Sequence, residues 1–521
     1  MQCIQKRLKA SETLIFSKTT KFIHWINNGM NPVGVLLFIF AVTFIFLTQS
    51  PLFFLRNAPT TTDSSVFITV ARTMKDGGMP YLDSFDHKGP LLFILNYLGV
   101  IISFPKGIWL IEFIFNYITF CFMYKIARLV CDRTLSLFCV FCGISLLMPF
   151  FEVGNFVEEY AMAFISVSLY IFLDYFINEI ITNLRLAACG FCLGCVCLLR
   201  PNMISVWIVF SIAVLIQIIQ HKSWENLRRF IIPFAGGLLL ILVPIVIWLA
   251  LNHALSSCIE QYILFNFKYS SDAERASLSN RWHSFLFFSS PTLVLLPSAV
   301  SVWMCSSEER RDKSLGVIYF SYLLTTSLLI CLSGQQYGHY GMILVPAIVF
   351  PMAKLTNELK CSKKSVKVKL ALAFYFSVMI IIPNVYTMIH LTGHYVMNPL
   401  ETEYPIAYIE TAAFIDANSE EYESISVYGN RDIIYILSNR NHATKYSYQF
   451  PIGKIDQSIM DDYFSQLKNE KPALIIVQEI NYDDEIKYFL EQNHYNFVWS
   501  SNTETNLSEE ALYDEFMIFK R

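Results

Sequence analysis

Charge is scarce in this chain, and that scarcity excludes an ordinary soluble protein. Only 16% of the 521 residues are charged, 54% are hydrophobic, and mean hydropathy is +0.44. Soluble domains run near 25% charged and about 45–50% apolar. The sequence therefore reads as an integral protein of a lipid bilayer. The last part of the chain, 391–521, has no G-x-G-x-x-G and no P-loop, so nucleotide binding there has no support. The net charge of −3 leaves no basic surplus for nucleic acid. No cysteine follows Cys361, which excludes a disulfide framework in the last part of the chain. A cleavable secretory signal is not expected either. The basic start (Lys6, Arg7, Lys9, Lys18, Lys21) leads into an apolar run long enough to stay as an anchor.

Apolar runs long enough to cross a bilayer need about 17–25 residues. They fall near 33–55, 107–124, 134–151, 158–177, 186–200, 202–220, 230–251, 283–304, 315–333, 340–353 and 370–390, which predicts eleven transmembrane helices. One alternating set of loops carries sixteen Lys and Arg, and the other set carries four. The positive-inside rule places the sixteen, and the basic N-terminus, in the cytoplasm. Both fit only if the short run 90–104, bounded by Pro90 and Pro105, lies at the outer interface without crossing. The loops 56–89, 151–160, 252–282 and 333–341, the Arg200 corner and the segment 391–521 are then all expected outside.

The run Cys189, Cys192, Cys195, Cys197 has the look of a metal motif but sits among apolar and small residues. Close helix packing in lipid is the reading preferred for it. Residues 391–521 hold 22 acids against 9 bases, net −13, while the remainder is net +10. This asymmetry predicts an N-terminal cytoplasmic segment (1–32), a transmembrane domain (33–390) and a separate extracytoplasmic domain (391–521). In the last, strands are expected at 425–429, 443–448 and 473–480 and helices at 431–439, 461–471 and 483–493. A closing antiparallel pair, NFVWSS with EFMIFK, makes it a small α/β domain.

The densest polar stretch is 56–90. It gathers Asp63, Asp76, Asp83, Asp86, His87 and Lys88 directly after the first apolar run. Ionisable groups at a membrane face are costly to hold, so such a cluster is a candidate site. A solvated loop with ordinary turns is the rival account. Four places carry a family resemblance: Asp63 in TTTDSSVF, Lys88 in YLDSFDHKGPLLF, the acidic GNFVEEYAM, and GHYGMILVP. In this order they resemble the polytopic GT-C glycosyltransferases, related to protein mannosyltransferases and the aminoarabinose transferases of lipid A. The chain departs from that pattern where Ser64 stands for a frequent Glu.

The resemblance implies a GT-C enzyme of a bacterial inner membrane. It would take sugar from an undecaprenyl-phosphate donor and pass it to an envelope glycan or glycolipid acceptor. Asp63 is the expected catalytic carboxylate, with helix capping as a compatible lesser role. Lys88 and Arg200 are the expected partners of the donor phosphate, against snorkelling and end-of-span roles. Asp86, His87, Glu158, Glu159, Tyr337, His339 and Tyr340 are expected to bind substrate. For the two glutamates the alternative is a helix N-terminus that favours acids anyway; for the aromatic group it is interfacial anchoring. The cofactor is open, a divalent cation being the candidate. A transporter or flippase, or a glycan polymerase or ligase, are the other readings. The mid-span positions are nearly free of charge and no repeat is visible, which disfavours transport.

Overall fold

The structure, a computed structural model, describes residues 26–27, 30–222, 224–270, 277–289, 295–305, 307–361, 382–398, 401–501 and 515–521. Its first part is helical: α1 (Pro32–Leu47), α2 (Thr62–Lys75), α3 (Pro90–Ile102), α4 (Ile108–Arg128), α5 (Arg133–Leu147), α6 (Val157–Asn178), α7 (Asn183–Leu199), α8 (Ser205–Gln220), α9 (Trp224–Leu251), α10 (Leu278–Ser289), α11 (Leu295–Cys305), α12 (Arg310–Ile330), α13 (Leu344–Cys361) and α14 (Ile382–Met397). Six stretches among the described residues are long and apolar enough to cross a membrane: Ile108–Arg128, Arg133–Phe150, Val157–Asn178, Trp224–Leu251, Arg310–Ile330 and Gly338–Cys361. Helices α1, α3, α7 and α8 are apolar but shorter. The expected span 283–304 covers α10 and α11 with 290–294 outside the described residues, and 370–381 of the expected span 370–390 lies outside them too. The segment 1–25 and the acids Asp272 and Glu274 also lie outside them.

Helix α9 shows lipid logic. It is the most apolar of the six, yet almost none of it is buried in protein. Exposed Leu239, Leu240 and Ile247 suit hydrocarbon rather than water. On its other side α9 packs against α7 through small residues. A Cβ on Gly190 would strike the Phe234 carbonyl, and one on Gly237 the Ala187 carbonyl. Gly190 lies within the cysteine run, so that run sits in a close helix contact. Helix α3 has 13 residues, or about 20 Å at 1.5 Å per residue. That is short of the ~30 Å hydrocarbon core.

The C-terminal part comprises α15 (Ile406–Asn418), β1 (Ile425–Tyr428), α16 (Ile433–Leu437), α17 (Gln457–Glu470), β2 (Leu474–Gln478), α18 (Asp484–Gln492), β3 (Asn496–Ser500) and β4 (Phe516–Lys520). The sheet runs β1-β2-β4-β3. β1 and β2 are parallel, and β4 is antiparallel to both β2 and β3. Its inner residues Ile425, Val427, Leu474, Ile476, Phe516 and Ile518 form the core with Ile415 and Ile434.

One expected strand is absent: 443–448 is irregular. Its backbone groups are taken elsewhere. The Lys445 amide donates to the Gln466 side chain, and the Lys445 carbonyl accepts from the Phe85 amide at 2.7 Å. The segment keeps one bridge to β1, where the Ala443 amide donates to the Ile425 carbonyl at 2.9 Å, and then lies across the polar loop after α2. Further ties bind the same surfaces. Arg72 donates to the Tyr435 carbonyl (3.2 Å), Thr73 Oγ1 meets His442 Nε2 (2.9 Å), and Asn441 donates to Asp76 (3.1 Å). Arg56 forms a two-pronged pair with Glu403 at 2.8 and 2.7 Å.

Candidate functional site

Helix α2 starts the site. Thr61, not Asp63, is its N-cap: the Thr61 hydroxyl accepts from the Ser64 amide at 3.2 Å. Asp63 stands in the first turn with its side chain 47% exposed, facing Lys88 Nζ at 3.9 Å. The capping role weighed for Asp63 is therefore taken by its neighbour. Ser64 is turned inward, where its hydroxyl accepts from Asn155 Nδ2 at 2.8 Å.

The turn at Asp86–Lys88 is held by its own polar groups. The Lys88 amide donates to Asp86 Oδ1 (2.8 Å), and Tyr81 OH donates to the Lys88 carbonyl (2.8 Å). Lys88 Nζ lies 3.1 Å from His87 Nε2. An ammonium only donates, so Nε2 is the acceptor and the proton of the neutral ring is on Nδ1. The ring is neutral because burial, then Lys88 and Arg200, hold its pKa well below the ordinary range. Burial opposes the Lys88 charge, but Asp63 and Asp86 outweigh it and leave its pKa raised. Burial lifts Asp86 to about 6 against the pull of Lys88.

The next residue sets where this turn lies. The Gly89 amide reaches the Leu199 carbonyl at 3.3 Å, and a Cβ at Gly89 would be driven into the Leu198 carbonyl. Glycine thus lets the loop rest on the end of α7, beside Arg200. We expect Gly89→Ala to cost about 1–3 kcal/mol, the usual range for overpacking. It should lower the melting temperature of the detergent-solubilised protein and shift Lys88 relative to Arg200.

Arg200 does more than close its helix. Its guanidinium meets Glu158 Oε1 at 2.5 Å and covers the Tyr340 ring at 4.2 Å. Glu158 and Glu159 are not surface acids at a helix start: both are buried. Glu159 accepts from Asn116 Nδ2 (2.5 Å) and the Asn155 amide (2.7 Å). Asn155 also donates to Asn96 Oδ1 (3.0 Å) and accepts from Tyr160 OH (2.6 Å). The acidic loop is thus a buried scaffold under Ser64 and Arg200.

His339 is fixed by Glu152, whose Oε2 lies 2.7 Å from Nδ1 while Oε1 accepts from the Gly338 amide at 2.6 Å. The imidazole stacks on Phe156 at 4.1 Å and on Tyr337 at 5.7 Å. Burial raises the Glu152 pKa, but His339 and the nearby amides overcome this and leave it lowered.

Several polar residues here escaped the sequence reading. Glu152 and Asn155 lie in a loop whose role the fold decides. Glu112 and Asn116 were visible as polar positions four apart within an apolar run, which is a signal in itself; Glu112 accepts from Ser50 at 2.9 Å. Asp432 and Tyr448 come from the C-terminal part. Tyr448 feels the charges of Asp86, Asp63 and Asp432 together. Burial lifts Asp432 to about 7, with Asp86 adding to the shift.

That shift has a sign. An unfolded Asp titrates near 3.9, so between about pH 4 and 7 the folded chain keeps protons that the unfolded chain has lost. The stability tied to Asp432 and Asp86 is complete below that window and is lost as pH rises through it. Melting temperature should fall from pH 5 to 8 in wild type, and Asp432→Asn should flatten part of that fall.

The Lys88 ammonium faces Asp63, Asp86 Oδ1 is engaged by the Lys88 amide, and Ser64 is bonded to Asn155. Among the described residues, no three His, Cys, Asp or Glu are placed to hold a metal ion.

The family model of the competence-induced Ccs4 N-terminal domain matches residues 27–400. No curated protein matches the chain. Among solved structures, ArnT from Cupriavidus metallidurans bound to undecaprenyl phosphate superposes with a TM-score of 0.60 at 13% identity, over 94% of this chain and 98% of that one. Its apo state gives 0.59 at 12% identity, with the same coverage of both chains. The archaeal oligosaccharyltransferase AglB from Archaeoglobus fulgidus, in complex with an inhibitory peptide and a dolichol-phosphate, gives 0.49 at 11% identity over 89% of this chain and 73% of that one. The chain thus shares the fold of ArnT, and six of its described helical stretches are long and apolar enough to cross a membrane.

Proposed function

The chain belongs to the competence-induced Ccs4 N-terminal domain family, and we propose that it is a membrane glycosyltransferase using a polyprenyl-phosphate sugar. One observation carries the reading. An exposed carboxylate free of capping duty, Asp63, faces the half-buried Lys88 ammonium, with Arg200 beside the same turn. A sugar-phosphate donor needs that combination: a base near the anomeric carbon and cations on the departing phosphate. The ArnT fold, solved with undecaprenyl phosphate, supports a donor of that kind.

In the proposed reaction Asp63 takes the proton of the acceptor hydroxyl as its oxygen attacks the anomeric carbon. The bond from that carbon to the phosphate oxygen breaks, and the electron pair leaves with the phosphate. Lys88 and Arg200 neutralise the charge that develops there. A single displacement inverts the anomeric centre. Tyr340 lies against the Arg200 guanidinium, with His339 and Tyr337 stacked in line beside it, and on this reading the three flank the sugar phosphate. Glu158 and Glu159 hold Arg200 and the Asn155 loop rather than touching the sugar. We place the site on the outer face of a bacterial inner membrane, with the N-terminus cytoplasmic and the acceptor an envelope glycan or glycolipid. The test is turnover by purified protein in nanodiscs with a panel of undecaprenyl-phosphate sugars and lipid-linked glycans. Consumption of one donor with release of undecaprenyl phosphate supports the reading, and no turnover of any donor sinks it.

A further inference from the structure

The proposed chemistry needs Asp63 in a fixed place, yet its carboxylate accepts no hydrogen bond among the described residues. Its ion pair with Lys88, at 3.9 Å, is too long for one. The position of the carboxylate therefore rests on the backbone of the first turn of α2. Thr61 caps that turn from within. The next side chain, Ser64, ties it to the rest of the molecule by accepting from Asn155 Nδ2 at 2.8 Å.

Asn155 has no slack. Asn96 donates its own amide nitrogen to the Leu92 carbonyl (3.1 Å), so Asn96 Oδ1 faces Asn155 and takes a donor from it at 3.0 Å. Asn155 Oδ1 is met by the Tyr160 hydroxyl at 2.6 Å. Both hydrogens of Nδ2 are thereby spent, one on Asn96 and one on Ser64, and the oxygen is spent on Tyr160. The Asn155 amide goes to Glu159 at 2.7 Å. Ser64, Asn96, Asn155 and Tyr160 are all buried.

The backbone that delivers Asn155 is strained. Glu152, Val153, Gly154 and Asn155 take φ values of 41°, 66°, 92° and 58° in succession. Only glycine enters that region freely, and a β-branched residue such as Val153 is poorly suited to it. Strain of this kind collects at functional sites. Here the strained turn runs on into α6, where Glu158 holds Arg200. One short piece of chain, 152–158, thus reaches His339, the Asp63 turn and Arg200.

We propose that Asn155 is a positioning residue for Asp63: through Ser64 it fixes the first turn of α2, and with it the carboxylate, relative to the Lys88 and Arg200 cations. The kinetic role rests on the transferase reading; the tie itself does not. Loss of the tie slows proton removal from the acceptor and leaves the donor phosphate its two cations.

The test uses full-length protein in nanodiscs, with the donor that wild type turns over, and amide exchange read by mass spectrometry. Asn155→Gly removes the side chain but keeps a residue that accepts the left-handed backbone and the amide bond to Glu159. Ser64→Ala removes the other end of the same hydrogen bond and carries the test if Asn155→Gly does not fold. Each should lower kcat by about 10–100-fold, since a misplacement of about 1 Å can cost as much. Donor KM should stay at the wild-type value, and amide exchange across 62–67 should quicken. The double variant should be no slower than the worse single. Glu158→Gln, which loosens Arg200, should raise donor KM instead. The assignment is overturned if either single variant keeps wild-type kcat, if the two losses multiply, if donor KM rises as it does in Glu158→Gln, or if exchange is unchanged. Absence of turnover in wild type would count against the transferase reading, and the exchange measurement then decides the tie by itself.

Discussion

Asp63→Asn should abolish sugar transfer while leaving the fold intact. The expected loss is about 10²–10⁴-fold in kcat, the usual contribution of a positioned acid or base. Stability should hardly move, because the structure separates the two roles available to an acid in a first helical turn. The Thr61 hydroxyl caps the helix, so Asp63 is not spent on backbone amides. Asn keeps the volume and removes only basicity and charge. The check is turnover beside melting temperature for wild type, Asp63→Asn and Thr61→Ala. The capping variant should lose about 1 kcal/mol of stability and far less activity. If Asp63→Asn retains full transfer, the acceptor proton goes elsewhere and Asp63 is merely a charge partner of Lys88.

The stretch that carries Asp63 and Lys88 was legible because its polar groups are contiguous in sequence. Asp63, Asp86, His87 and Lys88 needed no knowledge of packing to be noticed. Arg200 and Tyr340 were legible as single polar or aromatic positions at the ends of apolar runs, but their meeting at 4.2 Å depends on the end of α7 reaching the 338–343 turn, which packs against α6. Glu158 and Glu159 were misplaced for a physical reason. Acids at a helix start usually face water and the dipole, whereas here Arg200, Asn116 and the Asn155 amide satisfy them inside the protein. Hydropathy averages hid Glu112 and Asn116, since one polar residue barely changes a long apolar window. The segment around Tyr446 and Tyr448 reads as a strand on propensity, but aromatic and β-branched residues also suit a docking surface. Its Lys445 carbonyl takes the Phe85 amide instead of a ladder partner. That exchange brings Asp432 and Tyr448 to the loop, and no local pattern announces it.

Lys88→Ala should have the second largest effect, and it should fall on the donor. Lys88 is half-buried and charged, with Asp63 and Asp86 holding its proton. It is therefore a fixed cation in a place of low dielectric, where charge stabilisation of a leaving phosphate is strongest. Removing one such group typically costs about 10²–10³ in kcat. Part of the loss should appear as a higher donor KM, since a resting phosphodiester already carries one negative charge. Lys88→Arg should recover less than half of the lost rate. Its broad planar head cannot replace a compact ammonium that also meets His87 Nε2 at 3.1 Å. Structural damage must be separated from chemistry, because Lys88 also compensates buried Asp86. The double variant Lys88→Ala with Asp86→Asn removes that uncompensated acid. Recovery of melting temperature without recovery of transfer assigns Lys88 to the phosphate. Recovery of both would reduce Lys88 to a structural counter-ion and shift the phosphate contact to Arg200.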